Sequence, residues 1–158
     1  MSGILCAIRG GPSSRPTIAT SIQLAQETGE TIYFLYVVNL DFLTHSSSSK
    51  TNHISQEIHD MGEFILLSAQ EQASEGGAKA EGVIREGQVV EEIISYCEEQ
   101  SPIYVILGQP EEEGEDNLLS LERLQTFADR INGACQAQVI FSSEKDIPHE
   151  KDQDEPNP

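Results

Sequence analysis

Short runs of apolar and β-branched residues alternate along this chain with longer stretches whose apolar residues recur at helical spacing. The runs lie at about residues 4–8, 31–38, 79–84, 102–108 and 137–141. Such alternation is typical of right-handed βαβ crossovers, which place helices on both faces of a parallel sheet. We therefore predict an α/β fold, a three-layer sandwich with a five-stranded parallel sheet. It occupies residues 1–142, and an acidic, disordered tail follows at 143–158.

Capping residues and apolar stripes locate the four helices. Ser13 or Ser14 suits the N-cap of the first helix. Pro16 suits the first turn of that helix, and Gly29 suits the position after its end. The polar segment 44–53 predicts a loop before the second helix. The residues predicted to face the core from the second, third and fourth helices are Ile54, Ile58, Met61, Ile65 and Ala69; Val89, Val90, Ile93, Ile94 and Cys97; and Leu121, Leu124, Ala128 and Ile131.

Charge excludes several classes of partner. Twenty-seven acidic residues against nine Lys and Arg give a formal net charge of −18, which repels nucleic acid and anionic lipid alike. No apolar stretch reaches the roughly 18 residues needed to span a bilayer, and Met1 to Cys6 do not resemble the start of a secretory signal. The expectation is a cytoplasmic protein that binds neither nucleic acid nor membranes.

Cysteine and histidine patterns predict neither a metal ligand nor a catalytic residue. The three cysteines are widely spaced, and Cys6 and Cys97 fall within apolar patterns, so we interpret all three as core or near-core thiols in a reducing compartment. The four histidines have no metal-ligand spacing and no nucleophile motif beside them. No acid–base pair is identifiable, which favours a protein that is not an enzyme.

Four segments together resemble the universal stress protein family over residues 3–141. They are Ile4 to Ile8 before a glycine turn, Leu35-Tyr36-Val37-Val38, Glu86-Gly87, and Tyr104 to Gly108. The resemblance implies an adenine nucleotide alpha hydrolase-like sheet of order 3-2-1-4-5. It also implies a homodimer joined through the last strand, at Gln138, Val139, Ile140 and Phe141.

The family's phosphate-binding motif, Gly-x2-Gly-x9-Gly-[Ser/Thr] after the fourth strand, is retained here only at Gly108. The second glycine position is Glu111, and the final pair falls on Leu121-Glu122; counting from Gly114 instead gives Leu124-Gln125. Five carboxylates crowd residues 111–116, and each repels a phosphate by on the order of 1 kcal/mol at close range even in water. The sequence therefore predicts that ATP is not bound through the family motif and that no cofactor is required, with ATP or AMP as the alternative.

Residues at the carboxyl ends of parallel strands form the place where such sheets bind ligands. The candidate nucleotide-binding residues are Ile8, Arg9, Gly10, Val38 and Gly108. In nucleotide-binding members of the family that this sequence resembles, an aspartate often stands at the position of Arg9. The turn from Arg9 to Ser14 is either a small anion site, with amides and a helix N-terminus facing the anion, or an ordinary turn whose arginine pairs with the acidic loop.

Three functions remain open from the sequence. The leading hypothesis is a homodimeric regulatory or interaction module with an unidentified protein partner. The second is a nucleotide-binding switch or slow ATPase with a rearranged phosphate site at the first-strand turn. The third is a sensor of divalent cations or anions centred on residues 111–116, since hard cations favour carboxylate oxygens; those residues lack the ligand spacing of a calcium loop.

Overall fold

The computed structural model describes residues 3–11, 14–40, 48–108 and 116–142, with side chains for all of these but 48, 49, 51 and 116–121. The predicted tail at 143–158 and nearly all of the acidic loop lie outside the described residues. The elements in chain order are β1 (Ile4–Ala7), α1 (Arg15–Thr28), β2 (Ile32–Val38), α2 (Ser48–Glu75), β3 (Ala80–Glu86), α3 (Val89–Gln100), β4 (Tyr104–Gly108), α4 (Asp116–Cys135) and β5 (Gln138–Ser142).

All five strands form one parallel sheet of order β3-β2-β1-β4-β5. Cys6 in the central strand is in register with Phe34 of β2 and Ile106 of β4. Strand–helix alternation thus predicted the fold class correctly, and the resemblance predicted the strand order. Because the strands are parallel and in register, their carboxyl ends meet along one edge of the sheet.

Two hydrophobic layers lie on opposite faces of the sheet, because successive side chains of a strand alternate between faces. Ile4 and Cys6 face α1 and α2, where they pack with Phe34. Leu5 faces α3 and α4, where it packs with Leu35 and Val105. The strands are therefore covered on both faces, as their nearly continuous apolarity predicts.

The first helix begins and ends close to its predicted boundaries. Ser14 occupies the N-cap position and Pro16 follows in the first turn, but the Ser14 hydroxyl makes no capping bond to the helix. Gly29 closes the helix with φ 75°, and its N–H donates to Ala25 O. That left-handed conformation is the one that glycine adopts without steric cost.

Two predictions about α2 are wrong. The helix begins at Ser48, so the segment from Ser48 to His53 is helical and only the part of the predicted loop before it lies outside the described residues. Met61 is 59% exposed, because Gly62 takes the core-facing position at this level of the helix. A side-chain carbon at Gly62 would come within 2.8 Å of Tyr36, so the missing side chain allows the helix to approach the sheet.

The predicted inward face of α3 is correct for Ile93, Ile94 and Cys97, which are buried. Val89 and Val90 are 43% and 38% exposed, so that prediction is wrong at the first turn of the helix. Only Gly87 and Gln88 separate this turn from the carboxyl end of β3, so it lies at the edge of the sheet rather than over its centre. Among the helices described here, none is long and apolar enough to cross a membrane.

Candidate functional site

A cavity of about 640 Å³ opens beyond the carboxyl ends of β1, β2 and β4, between the N-terminal halves of α3 and α4. Its lining residues are Ala7, Ile8, Arg9, Leu35, Tyr36, Val37, Val89, Val90, Ile93, Leu107, Gly108, Arg123, Leu124 and Phe127. The volume is within the range of small-molecule sites in proteins, about 300–1,000 Å³. The cavity lies where an open parallel sheet reverses its strand order, which is the usual ligand position in this architecture.

The interior of the cavity is apolar. Leu35, Ile93 and Leu107 are buried at its base and belong to the hydrophobic layer beneath α3 and α4. Phe127 and the two exposed valines, Val89 and Val90, form the walls. Such a surface suits a flat or aliphatic group of a ligand, since apolar area is removed from water on binding. Val89 and Val90, which were predicted to face the core, therefore line the cavity.

Two arginines, Arg9 and Arg123, bring positive charge to this apolar cavity. Both are exposed, and neither forms an ion pair with another residue that the structure describes. The other cationic side chains of the α3–α4 face are paired: Arg85 contacts Glu92 and Glu99, and Arg130 contacts Glu91 at 3.2 Å. On that face, the arginines at the cavity are thus the cationic side chains that no described residue pairs with.

Arg123 was missed by sequence reasoning. It precedes Leu124, which was predicted to face the core, and stands four residues before Phe127 on α4. Residues four apart lie on the same side of a helix, so a basic residue sharing the side of an aromatic one near the start of the fourth helix was a detectable signal. On the sequence alone this signal did not single out Arg123, because the position of the cavity was not known.

The glycine turn after β1 does not offer its first two amides to a ligand. The Ser14 hydroxyl oxygen accepts hydrogen bonds from the backbone N–H groups of Arg9 at 3.0 Å and Gly10 at 3.1 Å. Gly10 itself packs against α2, since a side-chain carbon there would lie 2.6 Å from Ile65. The first two amides of this turn are therefore already bonded within the protein.

Of the five residues predicted for the site, the structure brings Ile8, Arg9 and Gly108 to the cavity lining. Gly10 and Val38 lie at the same end of the sheet but are not among the lining residues. Val38 is 1% exposed, and its carbonyl oxygen accepts a hydrogen bond from Gly87 N at 2.9 Å. Its neighbour Val37 lines the cavity in its place.

Gly108 is held between the cavity and a buried hydroxyl pair on the α1 side. A side-chain carbon at Gly108 would lie 3.2 Å from Thr17 Oγ1. Thr17 Oγ1 accepts a hydrogen bond from Ser142 Oγ at 3.0 Å, and both residues are almost fully buried. The end of β4 is thus positioned by α1 and β5 together.

The predicted core thiols lie where expected. Cys6 and Cys97 are buried, Cys135 is half-buried, and all three are free. Burial raises the pKa of Cys6 from 9.0 to about 12 and is also the main cause that raises the pKa of Cys97. A thiol with a raised pKa is a poor nucleophile. Within the described part of the chain, no group of three His, Cys, Asp or Glu side chains is placed to hold a metal ion.

The residues predicted for the dimer interface form β5, at one edge of the sheet. Gln138 is exposed, and Val139, Ile140 and Phe141 are half-buried. Ile140 packs toward the α1 side, while Val139 and Phe141 pack toward α3 and α4. Their side chains thus support the core of this chain, and the strand's outer backbone edge is the part open to a neighbour.

Comparisons with known proteins agree with this architecture. The family model of the universal stress protein family matches residues 1–129. A universal stress protein of Methanocaldococcus jannaschii is 24% identical over 129 residues, which cover 80% of this chain and 74% of that protein.

Two solved structures have the same fold. Universal stress protein UspA from Lactobacillus plantarum superposes with a TM-score of 0.69 and 12% identity, over 89% of this chain and 97% of that one. The universal stress protein from Archaeoglobus fulgidus, solved in complex with dAMP, superposes with a TM-score of 0.60 and 14% identity, over 90% of this chain and 98% of that one. With the family match over residues 1–129, this chain belongs to the universal stress protein family.

Proposed function

We propose that this chain is a regulatory module whose cavity binds an adenine nucleotide with a short phosphate chain, through arginines in place of the family's glycine loop. The observation that carries the proposal is the position of Arg9 and Arg123 on the lining of an otherwise apolar cavity. The apolar interior would accept the base and sugar, and the arginines would accept the phosphate. The complex of dAMP with the Archaeoglobus fulgidus protein supports the choice of an adenine nucleotide.

Arginine suits this role because its planar guanidinium donates two parallel hydrogen bonds to a phosphate and stays charged at every physiological pH. Arg9 follows the central strand and Arg123 lies on α4, and both line the same cavity, which supports a shared role in binding one phosphate. Residues 111–116, which follow β4 in the chain, carry five carboxylates, and a longer phosphate chain adds negative charge that such carboxylates repel. A monophosphate is therefore the preferred ligand, and the proposed role is to bind this nucleotide without hydrolysing it.

The test is thermal unfolding of the full chain with AMP, dAMP, ATP, GMP or adenosine. A ligand that binds only the folded state stabilises it by about 2.7 kcal/mol at a hundredfold excess over Kd. AMP and dAMP should raise Tm more than ATP, and adenosine should raise it least because it lacks the phosphate. A larger shift with ATP than with AMP, or no shift with any nucleotide, would overturn the proposal.

A second candidate is the interaction module, in which two copies pair through β5. It is supported by the position of β5 at the sheet edge, where backbone N–H and C=O groups are open to a neighbouring strand. Hydrogen exchange over a range of protein concentrations tests it. Amides of β5 should become more protected at higher concentration, whereas those of β3, at the opposite edge, should not. Equal behaviour of the two edges, or a monomer at high concentration, would reject the pairing.

We also propose that the folded domain ends at Ser142. That residue is 1% exposed, and its hydroxyl bonds to α1. A chain truncated after Ser142 should keep the Tm of the full chain to within a degree or two, since residues 143–158 contain one large aliphatic residue, Ile147, and are otherwise mostly charged or polar. A large loss of Tm would show that residues 143–158 contribute to the fold.

A further inference from the structure

The outer face of α2 carries large apolar side chains in contact with water. Met61, Phe64 and Leu67 are 59%, 72% and 64% exposed; we refer to these three residues as the α2 stripe. They recur every three residues, so they are neighbours on one side of the helix. The opposite side is filled by Gly62, Leu66, Ala69 and Ala73, which are buried against the sheet. Scattered exposed apolar residues need no explanation, but a contiguous group marks an interaction surface.

Acidic side chains stand before and after the residues of the α2 stripe along the helix. Glu63 and Glu71 stand four residues before and after Leu67, and both are exposed without an ion pair to any described residue. Glu57 stands four residues before Met61, where it contacts His53 at 3.1 Å. No Lys or Arg occurs between residues 51 and 78. The side of α2 that bears the stripe thus combines exposed apolar residues with negative charge one turn before or after them.

We propose that the α2 stripe docks a basic amphipathic helix of a partner protein, one with an apolar face bordered by Lys or Arg. Helix-in-groove and helix-on-helix recognition uses apolar anchors three and four residues apart, which is the spacing of the stripe. Positive residues bordering the partner's apolar face would meet Glu57, Glu63 and Glu71. Complementary charge of this kind steers association and selects the partner.

Charge also argues against the other occupants of this surface. A second copy of the chain carries the same net charge of −18 and would bring acidic side chains against acidic side chains. Residues 143–158 contain six acids, two lysines and one large aliphatic residue, Ile147, so they supply neither the apolar face nor the positive charge. An anionic membrane surface is repelled for the same reason.

The test uses isothermal titration of the full chain with a helical peptide of leucine and lysine that has one apolar face. A leucine–glutamate peptide of the same pattern is the control ligand. The lysine peptide should bind one to one, and the glutamate peptide should not. Phe64→Ser should weaken binding on the order of tenfold or more, because truncating a central anchor of an interface is costly. Phe64 is exposed, so the variant keeps its fold.

Matched variants separate docking from general attraction between opposite charges. Ile103→Ser removes another exposed apolar side chain, 41% exposed and on the turn before β4, and should leave the affinity unchanged.

The pair Glu63→Gln and Glu71→Gln should weaken binding and reduce its salt dependence more than the pair Glu30→Gln and Glu98→Gln, which changes net charge equally. The three outcomes that would overturn the proposal are equal binding by Phe64→Ser, equal binding of the glutamate peptide, and self-association abolished by Phe64→Ser.

Discussion

The hydroxyl of Ser142, the last residue of β5, donates a hydrogen bond of 3.0 Å to the hydroxyl of Thr17 in α1. The two residues are 125 positions apart, and both are almost completely buried. This contact connects the start of the first helix with the end of the last strand, beside the carboxyl end of β4. It holds the part of the sheet edge where Gly108 lines the cavity.

Thr17→Val should therefore lower the free energy of unfolding by about 1–3 kcal/mol, because it leaves a buried hydroxyl without its acceptor. The Ser142 hydroxyl would retain only the longer contact of 3.4 Å to Leu107 O. Urea denaturation measures the change. Thr126→Val, at an exposed position of α4, is the control and should change stability by less than about 0.5 kcal/mol. Equal effects of the two substitutions would contradict the role of the buried pair.

Gly62→Ala should destabilise the fold, although alanine is the better helix former. The added carbon would lie 2.8 Å from Tyr36 and 2.9 Å from Ile84, closer than side chains approach without a shift. Overpacking of this kind costs about 1–3 kcal/mol. Gly133→Ala in α4 is the matched control, since no atom beyond its own stretch of helix lies within 4 Å of the added carbon. It should stabilise the protein by up to about 1 kcal/mol, so the two glycine substitutions should move Tm in opposite directions.

Arg9→Gln and Arg123→Gln should each weaken AMP binding by on the order of tenfold, since a hydrogen bond to a charged group contributes about 1.5–3 kcal/mol. Adenosine binding should change little, because adenosine has no phosphate. Arg130→Gln removes an equal charge from α4 at a residue already paired with Glu91 and should leave the affinity for AMP unchanged. If all three variants weaken AMP binding equally, the effect is one of net charge and the arginines do not contact the phosphate.

Stability should fall at alkaline pH. Burial raises the pKa of Cys6 from 9.0 to about 12 and is the main cause that raises the pKa of Tyr96 from 10.0 to about 12. Above the unfolded pKa, the folded state binds more protons than the unfolded state, so the free energy of unfolding decreases as pH rises. The loss begins near pH 9 and continues toward pH 12, by at most about 1.4 kcal/mol per pH unit for each group.

Urea denaturation in the presence of reductant, repeated at increasing alkaline pH, gives this slope. Cys6→Ser should reduce it by the contribution of one group, because serine does not titrate in this range. A wild-type stability that is constant from pH 9 upward, or a slope unchanged in Cys6→Ser, would contradict the assignment to buried groups.

Strand–helix alternation was enough to predict the sheet because buried parallel strands have a distinctive composition. The run from Ile32 to Val38 contains seven consecutive apolar residues, which a strand covered on both faces requires. The helix faces were harder. Met61 fits the helical stripe of apolar residues and Gly62 does not. Gly62 nevertheless faces the sheet, because the close approach of α2 depends on a missing side chain. The periodicity of apolar residues cannot identify a glycine that faces the core.

The candidate site was predictable in location and less so in composition. Ile8, Arg9 and Gly108 are at strand ends, and parallel strands bring their ends together regardless of loop details. Arg123 and the two valines of α3 come from helices, and their positions depend on how those helices cross the sheet. The Ser14 hydroxyl bonds Arg9 and Gly10 only because the chain turns back at Gly10, which has φ 85°.

The sequence alone determined the order and type of the elements, the parallel sheet and the burial of its strands, because these follow from local apolar patterns. It also determined the excess of negative charge. Only the tertiary structure decided that two arginines line one apolar cavity, that the glycine turn satisfies its own amides, and that three apolar residues of α2 remain in water. Each of these depends on the distances between segments far apart in the chain, and packing sets those distances.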